Sequence, residues 1–362
     1  MTIDPPNPLT IAIVGDQRSI HVRRWSEALA ERGIRIVPVD LARRGRPAPI
    51  VAAELARARR SLGRLSREPG TVVAVHYLHG GLVATALRGL HPVVLHAWGT
   101  DVTAVRPGPL GRLHTRQLGA LLRRADAVTA TGEFLASVIL RRFGVRATVV
   151  PFGIDTSLFH PAADQIKGSA GAGEGPLRIG FVKWLEPKYG AQDLVEALGL
   201  LADLPFKATL VGDGPLRESL ETRVRELGLT ERVHFLGRRP HAEIPDLLRG
   251  FDLLAMPSRQ EAWGVAAAEA SATAIPVVAT RVGGIPEVVV DGETGLLVPP
   301  QDPPALAAAI RRLAGDRDLR HRLGRAGRER VESLFAWQRC VDLMVGVYRD
   351  AAAGRDLAEG PG

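Results

Sequence analysis

Cysteine is nearly missing: Cys340 is the single one in 362 residues. One thiol excludes an intramolecular disulfide and a cysteine-based metal site, and it suits a reducing compartment. Aromatic residues make up only 5% of the chain, so the stacking platform that single-stranded nucleic acid requires is not evident. No uninterrupted apolar run is long enough to cross a bilayer. The N-terminal MTIDPPNPLT lacks the basic-then-apolar order of a signal peptide. Together these absences lead to the expectation of a cytoplasmic protein.

Lysine is scarce as well. Lys+Arg number 47 against 39 Asp+Glu, a formal net charge of +8, yet lysine stands only at 167, 183, 188 and 207. A basic chain suits an anionic partner: nucleic acid, a membrane surface or a phosphorylated small molecule. The dispersal of the arginines makes nucleic acid the weakest of these. Against the arginine bias, Lys183 and Lys188 lying so close together point to a specific use of their compact charge. The arginine-rich stretch 43–67 reads as a loop and an amphipathic helix, either a solvated face or a contact with anionic lipid.

Short buried strands alternate with helical segments from IAIVG (11–15) through ATVVPFG (147–153), and again from LRIGFV (177–182) through GLLVP (295–299). Such alternation predicts α/β structure with parallel sheets covered on both faces. The chain therefore reads as two doubly wound Rossmann-like domains, at 1–165 and 176–335, joined by the Gly-rich linker 166–175, with a closing helix at about 336–354. Ligands of such sheets bind beyond the strands' carboxyl ends, so the expected site is a cleft between two facing domains.

One stretch carries the chemistry: SRQEAWGVAAAEASATAIPVVAT (258–280). Glu261 falls in a turn after a strand, and Glu269 lies within a helix begun near Gly264. Eight residues of helix span about 12 Å, wider than the roughly 5–9.5 Å between the carboxylates of a glycoside hydrolase. Backbone N–H groups at Gly264 and Val265 would face an anion at the helix start. Two carboxylates flanking such a site suit a ligand with hydroxyl-rich ends and a central diphosphate, the description of a nucleotide-sugar.

The segment EAWGVAAAE resembles the E-x7-E motif of the retaining family 4 glycosyltransferases with the GT-B fold. VVPFGIDTSLFHP, HFLGRRPHAEIPDLLRGFDLLAMPS, PVVATRVGGIPEVVVDGETGLLVPPQD and LFAWQRCVDLMVGVY resemble that family's segments in the same order, so the resemblance spans nearly the whole chain. It implies transfer of a hexose-type sugar from a nucleotide-diphosphate sugar to a hydroxyl acceptor, with retained configuration. Glu261 would contact the donor sugar and Glu269 the nucleotide ribose, with Ala262, Trp263, Gly264 and Val265 completing the donor segment. Lys183 and Lys188 would neutralise the diphosphate. Gly15 would give close approach to donor and acceptor, Gly212 and Gly214 would let the nucleotide approach the backbone, and Arg238 would sit near the base.

In the first domain, HAWGTD (96–101) resembles a motif near the reaction centre, but Trp98 stands where the commoner pattern has histidine. His96 and Asp101 are therefore catalytic candidates, each with a structural alternative: a hydrogen-bonded imidazole and a turn cap. His21, His79 and Trp98 are acceptor-binding candidates. The histidines lack metal-ligand spacing, and no DxD-like cluster is visible, so no metal or other cofactor is expected. An epimerase or phosphorylase of the same fold, and a non-catalytic nucleotide-sugar sensor, remain as alternatives. A lipid-linked acceptor and peripheral contact at the membrane's inner face through 43–67 are further expectations.

Overall fold

The computed structural model describes residues 9–40, 48–76, 87, 89–104, 108–162 and 175–355, with backbone only at 48–52, 54 and 55. His79, Arg43, Arg44, Arg46 and linker positions 166–174 lie outside the described residues. The chain divides into two compact units, one of Met1–Pro151 with Arg339–Gly362 and one of Phe152–Gln338. The sequence reading carried the first domain to 165, whereas residues from Phe152 onward group with the second unit. Ile154 N–H donates to Phe335 O (2.7 Å), Trp337 N–H donates to Ile154 O (2.8 Å), and Phe159 is buried in the second unit's core.

In the first unit β1 (Thr10–Val14), β2 (Arg35–Val39), β3 (Thr71–His76), β4 (Val93–Ala97), β5 (Ala127–Ala130) and β6 (Thr148–Val149) form one sheet in the order β2-β1-β3-β4-β5-β6. All its pairings are parallel. Every residue of β1, β3, β4 and β5 is buried, as expected for strands covered on both faces. The helix Ile20–Glu31 packs inward through Val22, Trp25, Ala28 and Leu29, one stripe at helical spacing. The last helix, Trp337–Ala352, buries Cys340, Val341, Met344, Val345 and Tyr348, and its Asp342 pairs with Arg32 at 2.9 Å.

In the second unit β7 (Leu177–Val182), β8 (Phe206–Val211), β9 (Val233–Gly237), β10 (Leu253–Met256), β11 (Val277–Thr280) and β12 (Gly295–Val298) form a parallel sheet in the order β12-β11-β10-β7-β8-β9. Side chains alternate between its faces. Ile179, Phe181, Leu253 and Ala255 enter one core with Leu194 and Ile310; Leu254 and Met256 enter the other with Ala267 and Ile285. Both units thus have the doubly wound α/β architecture expected from the alternation. Strand order reverses between β1 and β3 in the first unit and between β7 and β10 in the second.

Candidate functional site

Lys183 directly follows β7, and the segment 257–261 directly follows β10, so both sit at the second unit's point of reversal, where sheets of this kind bind ligands. Lys183 Nζ donates to Glu261 Oε2 at 2.6 Å, with the two side chains only 16% and 12% exposed. A carboxylate withdrawn from water to that degree is costly unless paired, and Lys183 supplies the pair. The lysine's own backbone is fixed, since its N–H donates to Val211 O at 3.0 Å.

Lys188 pairs with Glu186 at 2.9 Å. Burial works against its charge, but the hydrogen bond to Glu186, together with the charges of Tyr189 and Glu186, outweighs that and raises its pKa above the ordinary lysine value. The Lys188 carbonyl accepts N–H groups from Arg259 (2.8 Å) and Gln260 (3.1 Å). Arg259 in turn holds Asp193 through two hydrogen bonds, of 2.9 and 2.7 Å. The loop after β7 is thereby stitched to the loop after β10.

A cavity of about 500 Å³ lies against Lys183, lined also by Val182, Trp184, Gly212, Arg238 and Arg239 among others. Lys183, Gly212 and Arg238 were expected here; Trp184 and Arg239 were not. Gly212 has φ +140°, and a Cβ there would stand 1.9 Å from the Lys183 carbonyl oxygen. Only glycine lets this strand end come so close to the lysine. Gly214 follows on the same turn, its N–H donating to the Asp213 side chain at 2.8 Å.

Glu269 projects from the helix Val265–Ala272 and is 7% exposed. Its Oε1 lies 2.9 Å from His241 Nε2. A carboxylate facing Nε2 fixes the ring proton on that nitrogen. His241 also packs its ring on Phe159, at 5.4 Å. Nothing local marks it in the sequence, because its partner is 28 residues away.

The helix starts where expected, with Gly264 as its N-cap, so the first N–H groups at Val265 and beyond lack partners within the helix. Ala262 and Val265 are half-buried. Trp263 does not join the donor segment through its side chain. It is 1% exposed and sits edge-on to Phe335 with centroids 5.2 Å apart, a core residue placed there by its large apolar ring.

In the first unit Gly15, His21, His76, His96 and Trp98 gather at the ends of β1, β3 and β4. Trp98 meets His21 at 5.7 Å and His76 at 5.4 Å, edge to face. His76 stacks on His96 at 4.4 Å, and a Cβ on Gly15 would lie 3.3 Å from the His76 carbonyl oxygen. His96 is fully buried, with Nδ1 2.7 Å from Thr129 Oγ1 and Nε2 2.8 Å from the Tyr348 hydroxyl. Both nitrogens are taken, the arrangement of the hydrogen-bonded structural alternative. Burial, and then the charge of His76, lowers its pKa well below the usual value. Asp101 accepts the N–H of Gly99 (2.7 Å) and of Trp98 (3.2 Å), the turn-capping alternative. Among the described residues no group of three or more His, Cys, Asp or Glu is placed to hold a metal ion, and no helix is long and apolar enough to cross a membrane.

Two family models match the chain in succession, Glycosyltransferase Family 4 over residues 15–158 and Glycosyl transferases group 1 over 163–330. A D-inositol 3-phosphate glycosyltransferase of Corynebacterium glutamicum is 34% identical over 304 residues, covering 78% of this chain and 72% of the relative. Sucrose-phosphate synthase from Thermosynechococcus elongatus superposes with a TM-score of 0.78 at 25% identity, covering 95% of this chain and 99% of that one. Anabaena HepE, solved in complex with UDP-glucose, superposes with a TM-score of 0.73 at 19% identity, covering 94% and 100%. The chain belongs to the GT-B glycosyltransferases that join a family 4 N-terminal half to a group 1 C-terminal half.

Proposed function

We propose that this glycosyltransferase moves a hexose-type sugar, with retention of configuration, from a nucleotide-diphosphate sugar held by the second unit to a hydroxyl acceptor held by the first. The observation that carries this reading is the Lys183–Glu261 pair, 2.6 Å long, at the β7/β10 reversal beside the cavity. Lys183 and Lys188 neutralise the diphosphate and stabilise it as it leaves, the electrostatic part of catalysis that is usually largest. Glu261 accepts hydroxyls of the donor sugar and Glu269 those of the ribose, while Gly212, Gly214 and Arg238 line the nucleotide. The N–H groups opening the helix Val265–Ala272 contribute to the phosphate site.

Among the described residues no carboxylate stands out as a nucleophile. The sugar's leaving phosphate oxygen therefore takes the acceptor's proton as the acceptor attacks from the same face, and the protein supplies positioning and charge. His21 and Trp98, in contact in the first unit, are the acceptor-side residues of this reading. We place no metal ion in the reaction. The UDP-glucose held by HepE makes a uridine donor the first to try. Arg57, Arg60 and Arg64 are exposed at helical spacing on the helix Ala48–Leu65, which supports peripheral contact with an anionic membrane surface.

The test is nucleotide release from UDP-, GDP-, ADP- and TDP-sugars by wild type, Glu269→Ala and Lys188→Ala, with and without chelator, and with the product's anomeric configuration read by NMR. Turnover of one donor by wild type, lost in both variants and indifferent to chelator, is expected. Absence of binding to every donor overturns the reading.

A further inference from the structure

We propose that Tyr189 is a positioning residue that holds Lys183 and Lys188 together as one diphosphate-binding pair, an inference that rests on the donor reading above. The ammonium groups of both lysines lie over the Tyr189 ring, each 4.8 Å from its centroid. That is inside the distance at which an aromatic face attracts a cation. Two like charges brought to one ring repel each other, so a shared platform is needed to keep them close before any ligand arrives.

The carboxylates on these lysines cannot serve that purpose alone. Glu261 holds Lys183 and Glu186 holds Lys188, and the two carboxylates come from different loops. A carboxylate also occupies the N–H donors that a phosphate would need. The ring adds attraction through its face, and the Tyr189 side chain also hydrogen-bonds Lys188.

Tyr189 itself is well anchored. Its ring packs against the core of the second unit, and its N–H donates to Glu186 O at 3.0 Å. The next residue, Gly190, has φ +69° and stands so close to Pro257 that a Cβ would lie 1.9 Å from the Pro257 carbonyl oxygen. With the Arg259 and Gln260 N–H groups on Lys188 O at 2.8 and 3.1 Å, these contacts close a circuit. It runs from Lys183 through Glu261 to the 257–260 loop, then to Lys188, and through the Tyr189 ring back to Lys183.

The experiment compares wild type, Tyr189→Phe, Tyr189→Leu, Lys183→Ala and Lys188→Ala. Calorimetry gives the Kd of whichever of UDP, GDP, ADP and TDP binds wild type most tightly, and of its monophosphate. Phenylalanine keeps the aromatic face and loses only the side-chain hydrogen bond to Lys188, so Tyr189→Phe is expected to weaken diphosphate binding less than Tyr189→Leu does. Tyr189→Leu keeps apolar bulk but loses the face, and its diphosphate Kd is expected to rise about ten-fold. Its monophosphate Kd should change far less. Lysine variants that lose diphosphate affinity while Tyr189→Leu keeps it overturn the inference alone. Equal weakening of both nucleotides in Tyr189→Leu, or equal loss in Tyr189→Phe, also overturns it. Lysine variants that bind the diphosphate as wild type does overturn the donor reading beneath it.

Discussion

Glu269 and His241 meet at 2.9 Å, Oε1 to Nε2, with the glutamate almost wholly buried and the histidine at its exposed side. His241→Ala leaves a buried carboxylate without this hydrogen bond, a loss of about 1–3 kcal/mol. We expect lower stability to urea and, from the ribose-binding role proposed for Glu269, weaker nucleoside diphosphate binding. Unchanged stability and unchanged affinity in this variant would show that the pair does neither.

The Lys183–Glu261 pair makes a prediction of a different kind. Lys183→Met should lower kcat about 100-fold and destabilise the protein by about 3–5 kcal/mol, because Glu261 is left charged and largely out of water. The double variant Lys183→Met with Glu261→Leu should recover most of the stability and none of the activity. A double-mutant cycle by urea denaturation checks this; a double variant less stable than Lys183→Met would sink the pairing argument.

His76 and His96 make stability depend on pH. Burial lowers the His76 pKa from 6.5 to about 3, and the His96 pKa also lies well below the usual value. The unfolded chain therefore takes up protons that the folded one refuses. Stability is full above pH ~6.5 and falls as pH drops toward ~3, by about 1.4 kcal/mol per pH unit for His76, and His96 acts in the same direction. Urea midpoints from about pH 7 to about pH 4 should slope less steeply in His76→Phe than in wild type. Parallel slopes would rule His76 out as a contributor.

Gly212→Ala tests the approach of β8 to the lysine loop. At φ +140°, with Lys183 O standing 1.9 Å from the new Cβ, the substitution must displace the Lys183 backbone. A strained residue of this sort costs on the order of 1–3 kcal/mol. Nucleotide affinity should fall with stability, because Lys183 moves with its carbonyl. Wild-type binding in a folded Gly212→Ala protein would contradict the close packing.

Strand positions were legible because these strands are buried on both faces, and runs such as TVVAV and PVVATR declare that by composition alone. Lys183 and Glu261 stood out for other reasons, lysine being scarce in this chain and Glu261 opening the E-x7-E segment, while their contact with each other was not foreseen. What escaped the sequence was pairing at a distance. His96 has its partner Tyr348 252 residues away, and Glu269 has His241 on a separate loop. Trp263, flanked by site residues, turned inward because its ring is worth more in the core than at a surface. Tyr189 carries no motif of its own, only a place between two lysines.

The second unit is one unbroken segment, Phe152–Gln338, inserted between Pro151 and Arg339 of the first. Chain growth therefore delivers the second unit whole, while the first waits for its last helix. Until residue 348 is made, the buried Nε2 of His96 has no tyrosine to meet. Closing so long a loop is slow compared with local pairing. During synthesis the first unit should thus be the last to finish folding and the one most exposed to chaperones and proteases.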